Sequence, residues 1–260
     1  MNKKYPTDLT DSQWNHIKDF FPSPKQTGRP REVEFRQIVN ALLYLVFTGC
    51  QWRFVPKDYG KWQTVYYYFA RWQNDGIWRR IHETLRSDLR RKKRRHKHPT
   101  AGSADSQSVK TTCVPSSRGF DAGKKIQGRK RHILVDTLGL MMAVVVTTAC
   151  VQDRDGLKKL LRSNGIHRKK LRKIWVDGGY RGAVIEWVKA RFRYCLQVVL
   201  RSDDLKGFVV LPKRWIVERT FAWLSNHRRL SKDYERFTKT SETMIQIAMT
   251  RLMLRRLKPL

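Results

Sequence analysis

Hydrophobic residues recur at helical spacing through the first hundred residues. A capping-box signature at Thr10 and Gln13 predicts a short first helix, because each side chain can satisfy a free backbone N–H of the other residue. Three further helices are predicted, at about 32–47, 62–73 and 78–89. The last continues into a basic run at 90–98. We therefore expect a helical, helix-turn-helix-like domain over residues 1–98, with a basic linker at its end.

The pattern changes to strands after Pro99. Alternating or continuous apolar runs predict strands at 102–109, 130–135, 140–148, 173–176 and 194–200. Amphipathic spacing predicts helices at 155–164, 181–192, 213–230 and 240–257. Three strands followed by alternating helices and strands give a mixed sheet covered on both faces, which is the order of the ribonuclease H-like fold. The predicted class is α+β, with this second domain over residues 99–260.

Three acids fall where such a sheet would bring them together. Asp105 lies on the first strand of the second domain, and Asp177 follows the fourth. These strands are neighbours and parallel in the expected order, so their carboxylates should meet at one edge, and Glu218 enters from the helix after the fifth strand. Carboxylates that converge near phosphate repel it unless a divalent cation lies between them. The pattern therefore predicts a magnesium site at Asp105, Asp177 and Glu218.

Other interpretations of these acids stay open. Arg214 precedes Glu218 by one helical turn, so the two could form an ordinary salt bridge. Any of six further acids could be the third ligand, although hairpin, helix-cap or loop positions explain them more simply. These acids are Asp121, Asp136, Asp153, Asp155, Asp203 and Asp204.

Composition indicates a polyanionic partner. The chain has 260 residues, with 55 Lys and Arg against 22 Asp and Glu, for a net charge of +33. Nucleic acid fits better than a membrane surface, because the basic residues are spread along the chain and we find no apolar run long enough to span a bilayer. The four cysteines are isolated, as expected for reduced thiols in a cytosolic protein and not for a zinc site.

Two sets of residues are candidate DNA contacts. On the third helix we expect Lys61, Thr64, Tyr68 and Arg71 to face DNA, and in the glycine-rich loop we expect Lys124, Lys125, Arg129 and Lys130 to contact phosphates. A solvated polar face is the alternative for the helix, and a solvated loop is the alternative for the second set.

Six motifs, taken in their order and spacing, resemble the Asp-Asp-Glu transposases of bacterial insertion sequences, in the insertion-sequence-five group. They are YPTDLTD at 5–11 with Trp14, TGCQW at 48–52, ADSQSVK at 104–110, GKK at 123–125 with GRKRH at 128–132, DGGY at 177–180 and VERTFAWL at 217–224. The resemblance covers nearly the whole chain. It implies that Asp105, Asp177 and Glu218 are catalytic and hold Mg²⁺ or Mn²⁺.

The resemblance also implies partners and a departure from the family pattern. It implies binding to double-stranded DNA as a homodimer or higher oligomer, in the cytoplasm at the nucleoid. Arg214 and Glu218 match the related glutamate helix, but Leu211 stands where a tyrosine is expected and Ser225 where a lysine is expected. We expect Arg228, Arg229 or Lys232 to replace that lysine, and Arg229 in particular, because it lies about three helical turns after Glu218.

The expected function is that of a transposase that binds the inverted-repeat ends of its element, cleaves DNA with a metal ion and joins the freed 3′-hydroxyl to target DNA. The alternatives are a ribonuclease H-like nuclease without strand transfer and an inactive DNA-binding derivative. The intact acid trio argues against the inactive derivative.

Overall fold

The computed structural model describes residues 5–22, 33–113, 117–163, 170–200 and 213–258. Its N-terminal region is helical, with α1 at Asp11–Ile17, α2 at Phe35–Thr48, α3 at Trp62–Asn74 and α4 at Ile77–Lys92. The capping box at Thr10 and Gln13 is present, with both reciprocal hydrogen bonds formed. Helix α2 ends at Gly49, whose φ of 75° is the left-handed conformation that glycine adopts without strain.

A six-stranded mixed sheet follows. Its strands are β1 at Ala101–Lys110, β2 at Gly119–Asp121, β3 at Ile126–Asp136, β4 at Met141–Thr148, β5 at Lys173–Val176 and β6 at Cys195–Val198. Strand β3 pairs antiparallel with three strands: β1, β4 and the short β2. Strand β5 lies between β1 and β6, and these three strands run parallel to one another. The ribonuclease H-like fold predicted from the element order is confirmed. Strand β2 was not predicted.

Helices cover both faces of the sheet. They are α5 at Asp153–Arg162, α6 at Val184–Phe192, α7 at Trp215–Ser225 and α8 at Thr238–Leu257. Alternate residues of β3 separate the two cores: Leu134 packs with α5 and α6, whereas Ile133 and Val135 pack with α7 and α8. Among the described helices, none is long and apolar enough to cross a membrane.

The core beneath α8 continues into the N-terminal helices. Buried residues of α2, α3 and α4 belong to the same apolar cluster as those of β3, β4, α7 and α8. The basic run after Leu89 is partly internal as well, because Arg90 is buried while Arg91 and Lys92 are exposed. The division at residue 98 therefore separates two kinds of secondary structure that share one core, and it stays a prediction as a domain boundary.

A buried carboxylate organises the β3–β4 hairpin. Asp136 is fully buried, and its Oδ1 accepts hydrogen bonds from the backbone N–H groups of Leu138 and Leu140, each at 2.9 Å. Its Oδ2 accepts a hydrogen bond from Arg90 of α4, which forms a buried ion pair. Gly139 completes the turn with φ 79°, and a side chain there would also collide with the Trp223 ring. Asp136 therefore serves the hairpin, as its position predicts, and joins that hairpin to α4.

The predicted helix over 213–230 is shorter in the structure. Helix α7 ends at Ser225, and Arg228–Leu230 form a separate 3₁₀ turn. Buried arginines of β3 hold the chain that follows: Arg131 donates to Leu230 O at 2.8 Å, and Arg129 donates to Arg236 O at 2.7 Å. These tertiary hydrogen bonds take the segment away from the helix axis.

We expect Arg90→Met to lower the free energy of unfolding by about 3–5 kcal/mol, because it leaves the Asp136 carboxylate buried and unpaired. The matched control is Arg91→Met at the next position, where an exposed pair with Asp88 contributes less than about 1 kcal/mol. Urea unfolding of both variants measures the difference, and equal losses would contradict the role given to Asp136.

A second prediction concerns Glu242 of α8, whose Oε1 accepts a hydrogen bond from Val146 N of the edge strand β4 at 2.9 Å. Burial raises the pKa of Glu242 from 4.5 to about 7. The stabilisation from its protonated form is complete below pH 4.5 and is lost as the pH rises through 7. Glu242→Gln should therefore be more stable than the native chain at pH 8, by up to roughly 3 kcal/mol. The two should converge below about pH 4.5 in urea titrations.

The exposed Glu186→Gln is the control for this pH dependence. If the Glu242→Gln advantage were the same at pH 4 and pH 8, burial of the charged carboxylate would not be its cause.

Candidate active site

Asp105 and Asp177 lie side by side because their strands are parallel neighbours. Ser103 of β1 is in register with Trp175 of β5, and each acid stands two residues beyond its member of that pair. The neighbouring, parallel arrangement predicted for these two strands is confirmed. On the other side, Asp105 is in register with Ile133, which faces α7. Asp105 thus lies on the sheet face that carries α7.

Helix α7 brings Glu218 to the same edge. Its position on the sheet is set by Thr220, whose Oγ1 donates to Gly139 O of the hairpin at 2.9 Å, and by Arg219, whose Nη2 donates to Leu138 O at 3.2 Å. Arg214 then links the acids: one guanidinium nitrogen lies 3.8 Å from Asp177 Oδ2 and 3.5 Å from Glu218 Oε1. The helical salt bridge between Arg214 and Glu218, which was the alternative interpretation, is therefore present, and the same arginine extends it to Asp177.

The electrostatics of Asp105 differ from those of a solvated acid. The pKa of Asp105 is raised to about 6, chiefly by burial and also by the negative charge of Asp177, against the lowering effects of a hydrogen bond from Ser106 N, of Arg214 and of Lys124. Burial also raises the pKa of the Tyr180 hydroxyl, which lies near the same acids and hydrogen-bonds Ser106. The edge is thus short of positive charge at Asp105, even with Arg214 and Lys124 nearby.

These residues fit a hard divalent cation by their chemistry. Carboxylate oxygens are the ligands that Mg²⁺ takes in proteins, and a cation would relieve the unfavourable charge on Asp105. Within the described residues, however, no group of three His, Cys, Asp or Glu side chains is arranged closely enough to hold an ion. The Arg214 guanidinium lies between Asp177 and Glu218 and supplies a positive charge there. Asp105 and Asp177 would hold the ion, and Glu218 would join them once Arg214 turned towards a phosphate.

The other candidate acids have different partners. Asp121 and Asp153 both pair with Lys130, at 3.2 and 3.1 Å, and Asp155 pairs with Lys158 at 3.2 Å. Asp203 and Asp204 lie outside the described residues, as does Leu211.

Two predicted phosphate contacts of the basic loop are wrong. Arg129 is fully buried and donates to Asp233 Oδ1 at 3.1 Å, to Ser241 and to three backbone carbonyls. Lys130 is buried between Asp121 and Asp153. Both lie within β3, where alternate side chains point into one core or the other. Lys124 and Lys125 precede the buried part of that strand and are exposed, so they stay candidates.

The stripe of α3 that was predicted to face DNA is only partly exposed. Tyr68 is half-buried, with its ring 5.0 Å from that of Phe35 and 5.6 Å from that of Trp72. The most exposed aromatic rings of α3 are instead Tyr66 and Tyr67. Of the other members of the predicted stripe, Lys61 and Arg71 are exposed and Thr64 is half-buried.

Arg229 does not replace the family lysine. It is buried after the end of α7, where it donates to Glu235 Oε1 and to Cys50 O, each at 2.8 Å. The prediction that it returns to the face of Glu218 fails because the helix stops at Ser225. Arg228 and Lys232 are exposed and keep their candidacy.

Sequence reasoning also missed a stripe of α7. Trp215, Arg219 and Trp223 are spaced by four residues, and the Arg219 guanidinium lies 4.3 Å and 4.7 Å from the two ring centroids. The i, i+4, i+8 spacing was the signal for this stack, in which an arginine lies between two indoles on one side of the helix.

Comparison with known proteins agrees with this fold. The sheet with its acidic edge defines a ribonuclease H-like protein. A family model described as "Transposase DDE domain" matches residues 96–253, and one described as "Putative transposase of IS4/5 family" matches residues 9–82. Since the first model matches more than half of the chain, the chain belongs to the family of transposases with a DDE domain.

Two curated relatives belong to one insertion sequence. The "Putative transposase for insertion sequence element IS402" of Burkholderia cepacia is 31% identical over 118 residues, which are 42% of this chain and 54% of the relative. A 16.2 kDa protein of the same element is 28% identical over 126 residues, 45% of this chain and 78% of that protein. The chain thus spans about half the length of the first relative.

The chain is also similar to a chain in the crystal structure of the Mos1 strand transfer complex, and the match covers 95% of this chain and 82% of the Mos1 chain. Its TM-score is 0.30 and its identity 13%, so it adds nothing to the assignment.

We expect Mg²⁺ to raise the melting temperature of the native chain at pH 8, since a ligand that binds the folded state stabilises it. Asp105→Asn should remove most of this rise. Asp155→Asn, which removes an exposed acid of α5, is the matched control and should retain it. Differential scanning fluorimetry with and without Mg²⁺ gives the comparison, and an identical rise in both variants would place the ion elsewhere.

Proposed function

We propose that this chain is a transposase that binds the ends of its insertion sequence and carries out metal-dependent DNA cleavage and strand transfer. The observation that carries the proposal is the position of Asp105 and Asp177 on neighbouring parallel strands, with Glu218 linked to Asp177 through Arg214. Family membership supports it, because this arrangement stands inside the matched DDE domain.

In this proposal the carboxylates would hold divalent cations beside the phosphate. Bound Mg²⁺ would lower the pKa of a nucleophile and stabilise the leaving oxygen of the phosphodiester. Asp105 and Asp177 fix the ions to the rigid sheet. Arg214 can exchange the two carboxylates for a phosphate oxygen, since an arginine binds either partner through the same N–H groups. Lys124, whose Nζ donates to Ser106 O at 3.3 Å, adds positive charge beside Asp105.

DNA binding in this proposal uses several exposed basic surfaces. Helix α3 offers Lys61 and Arg71 beside its exposed tyrosines, and the loop before β3 offers Lys124 and Lys125. Arg228 and Lys232 extend the basic surface after α7. Assembly on DNA as a homodimer or higher oligomer, so that two element ends are held together, belongs to the same proposal.

The test compares cleavage with binding in the same variants. Asp105→Asn, Asp177→Asn and Glu218→Gln should each lower cleavage of end-containing DNA at least about 100-fold, because each loses a metal ligand worth about 3 kcal/mol or more. Affinity for DNA should be retained or improved, since an acid that repels phosphate has been removed. Asp155→Asn is the control and should cleave normally.

A strand-transfer assay completes the test. Joined products between element ends and a target plasmid should form with the native chain and be absent with the three variants. Cleavage with no joined product would identify a nuclease, and normal cleavage by any variant would remove that residue from the site.

A further inference from the structure

A basic groove runs along α7 and α8. Two adjoining cavities of about 540 Å³ each share Trp223, Arg255 and Arg256 as a common wall. The first extends towards the β3–β4 hairpin and the end of α4, and the second extends towards α2. We call this feature the arginine groove and define it by its five cations, Lys93, Arg219, Arg251, Arg255 and Arg256.

Aromatic rings hold three of these guanidinium groups by their faces. Arg219 stacks on Trp215 and Trp223, as described above, and Arg256 lies 4.0 Å from the centroid of Trp223. Arg251 lies 4.2 Å from the ring centroid of Phe47. A stacked guanidinium is fixed in direction, which favours binding of a phosphate by those of its N–H groups that are not already bonded. In Arg219, Nη2 already donates to Leu138 O.

The described lining of the groove carries positive charge without an acidic side chain. Burial and neighbouring arginines lower the pKa of Arg251 and of Arg256, which shows that like charges are held together away from water. Arg219 Nε is buried and has no partner among the described residues. Asp136, whose negative charge acts on Arg219, is itself bonded to Arg90 and to the hairpin backbone.

We infer that the arginine groove is a second DNA site, which binds the sugar–phosphate backbone of a strand separate from the one at the carboxylates. The inference rests on the proposed function, because it takes DNA as the anion. An ordered row of guanidinium edges with aromatic rings between them matches a polymer of phosphates joined by apolar sugars. Glu218 and Arg214 lie on a different side of α7 from Trp215, Arg219 and Trp223, so one helix separates the two strands.

The test uses Arg255→Gln combined with Arg256→Gln. The matched control is Arg172→Gln with Arg191→Gln, which removes the same charge from exposed positions beside β5 and on α6, across the sheet from the groove. Binding of a fluorescent single strand and of its duplex is measured by anisotropy over a series of salt concentrations. Thermal unfolding of every variant shows that each is folded.

We expect the groove pair to weaken DNA binding about tenfold or more and to lower the slope of log affinity against log salt by about 0.7–0.9 for each phosphate that the variant no longer neutralises. The control pair should change the slope by less than the equivalent of one phosphate. An effect confined to the duplex assigns the bound strand to a double helix, and an effect confined to the single strand assigns it to unpaired DNA. Equal effects of the two pairs on both DNA forms would overturn the inference, because net charge alone would explain them.

Tryptophan fluorescence gives a direct second readout. DNA should quench part of the emission of the native chain, and Trp215→Phe should remove that part, whereas Trp187→Phe on α6, which packs in the other core, should not. Unchanged quenching in Trp215→Phe would also overturn the inference. Failure of this inference can be told apart from failure of the proposed function. If the chain cleaves its element ends normally while both groove tests fail, the proposed transposase function stands and only the second DNA site is lost.

Discussion

The buried ion pair between Arg90 and Asp136 is the interaction on which the rest of the structure depends. Asp136 shapes the β3–β4 hairpin through its backbone hydrogen bonds and fastens that hairpin to α4 through Arg90. The carbonyl of Gly139 in the same turn receives the Thr220 hydroxyl of α7. One carboxylate thus fixes the N-terminal helices, the sheet and the helix of Glu218 relative to one another. A buried charge pair is a costly means of doing so, but it tolerates little displacement of either partner.

The acids could be placed from the sequence because strand geometry is regular. Period-two patterning located β1 and β5, and the order of elements made them parallel neighbours, so Asp105 and Asp177 had to meet. The contact between Glu218 and Arg214 could be predicted for the same reason, because Glu218 lies four positions after Arg214 on one helix. Local periodicity and topology, which the sequence carries, are sufficient for such residues.

The basic residues could not be sorted in the same way, because their partners are distant in sequence. In the sequence, Arg129 and Lys124 are both basic residues of one glycine-rich segment. Arg129 nevertheless binds Asp233, more than a hundred residues later. Arg229 fits a helical wheel until the hydrogen bonds of Arg131 and Arg129 divert the chain. Part of the net charge of +33 is therefore internal, where Arg86, Arg90 and Arg129 donate to carbonyls and carboxylates. Only three-dimensional packing separates these structural cations from those left facing solvent.

The shared core between the N-terminal helices and α8 has a consequence for how the protein would measure DNA. A recognition helix on a flexible tether could find its sequence at variable distances from the cut. Here α2 and α4 are packed into the same apolar cluster as the sheet. Under the proposed function, a duplex held by α3 would therefore meet the carboxylates at a fixed offset and on a fixed side. The double helix turns once in about 10 base pairs, so an insertion of half a turn would present the opposite side of the DNA to the acids. Under the proposed function, the shared hydrophobic core would therefore fix the distance along the DNA between the sequence that α3 binds and the phosphodiester at the carboxylates.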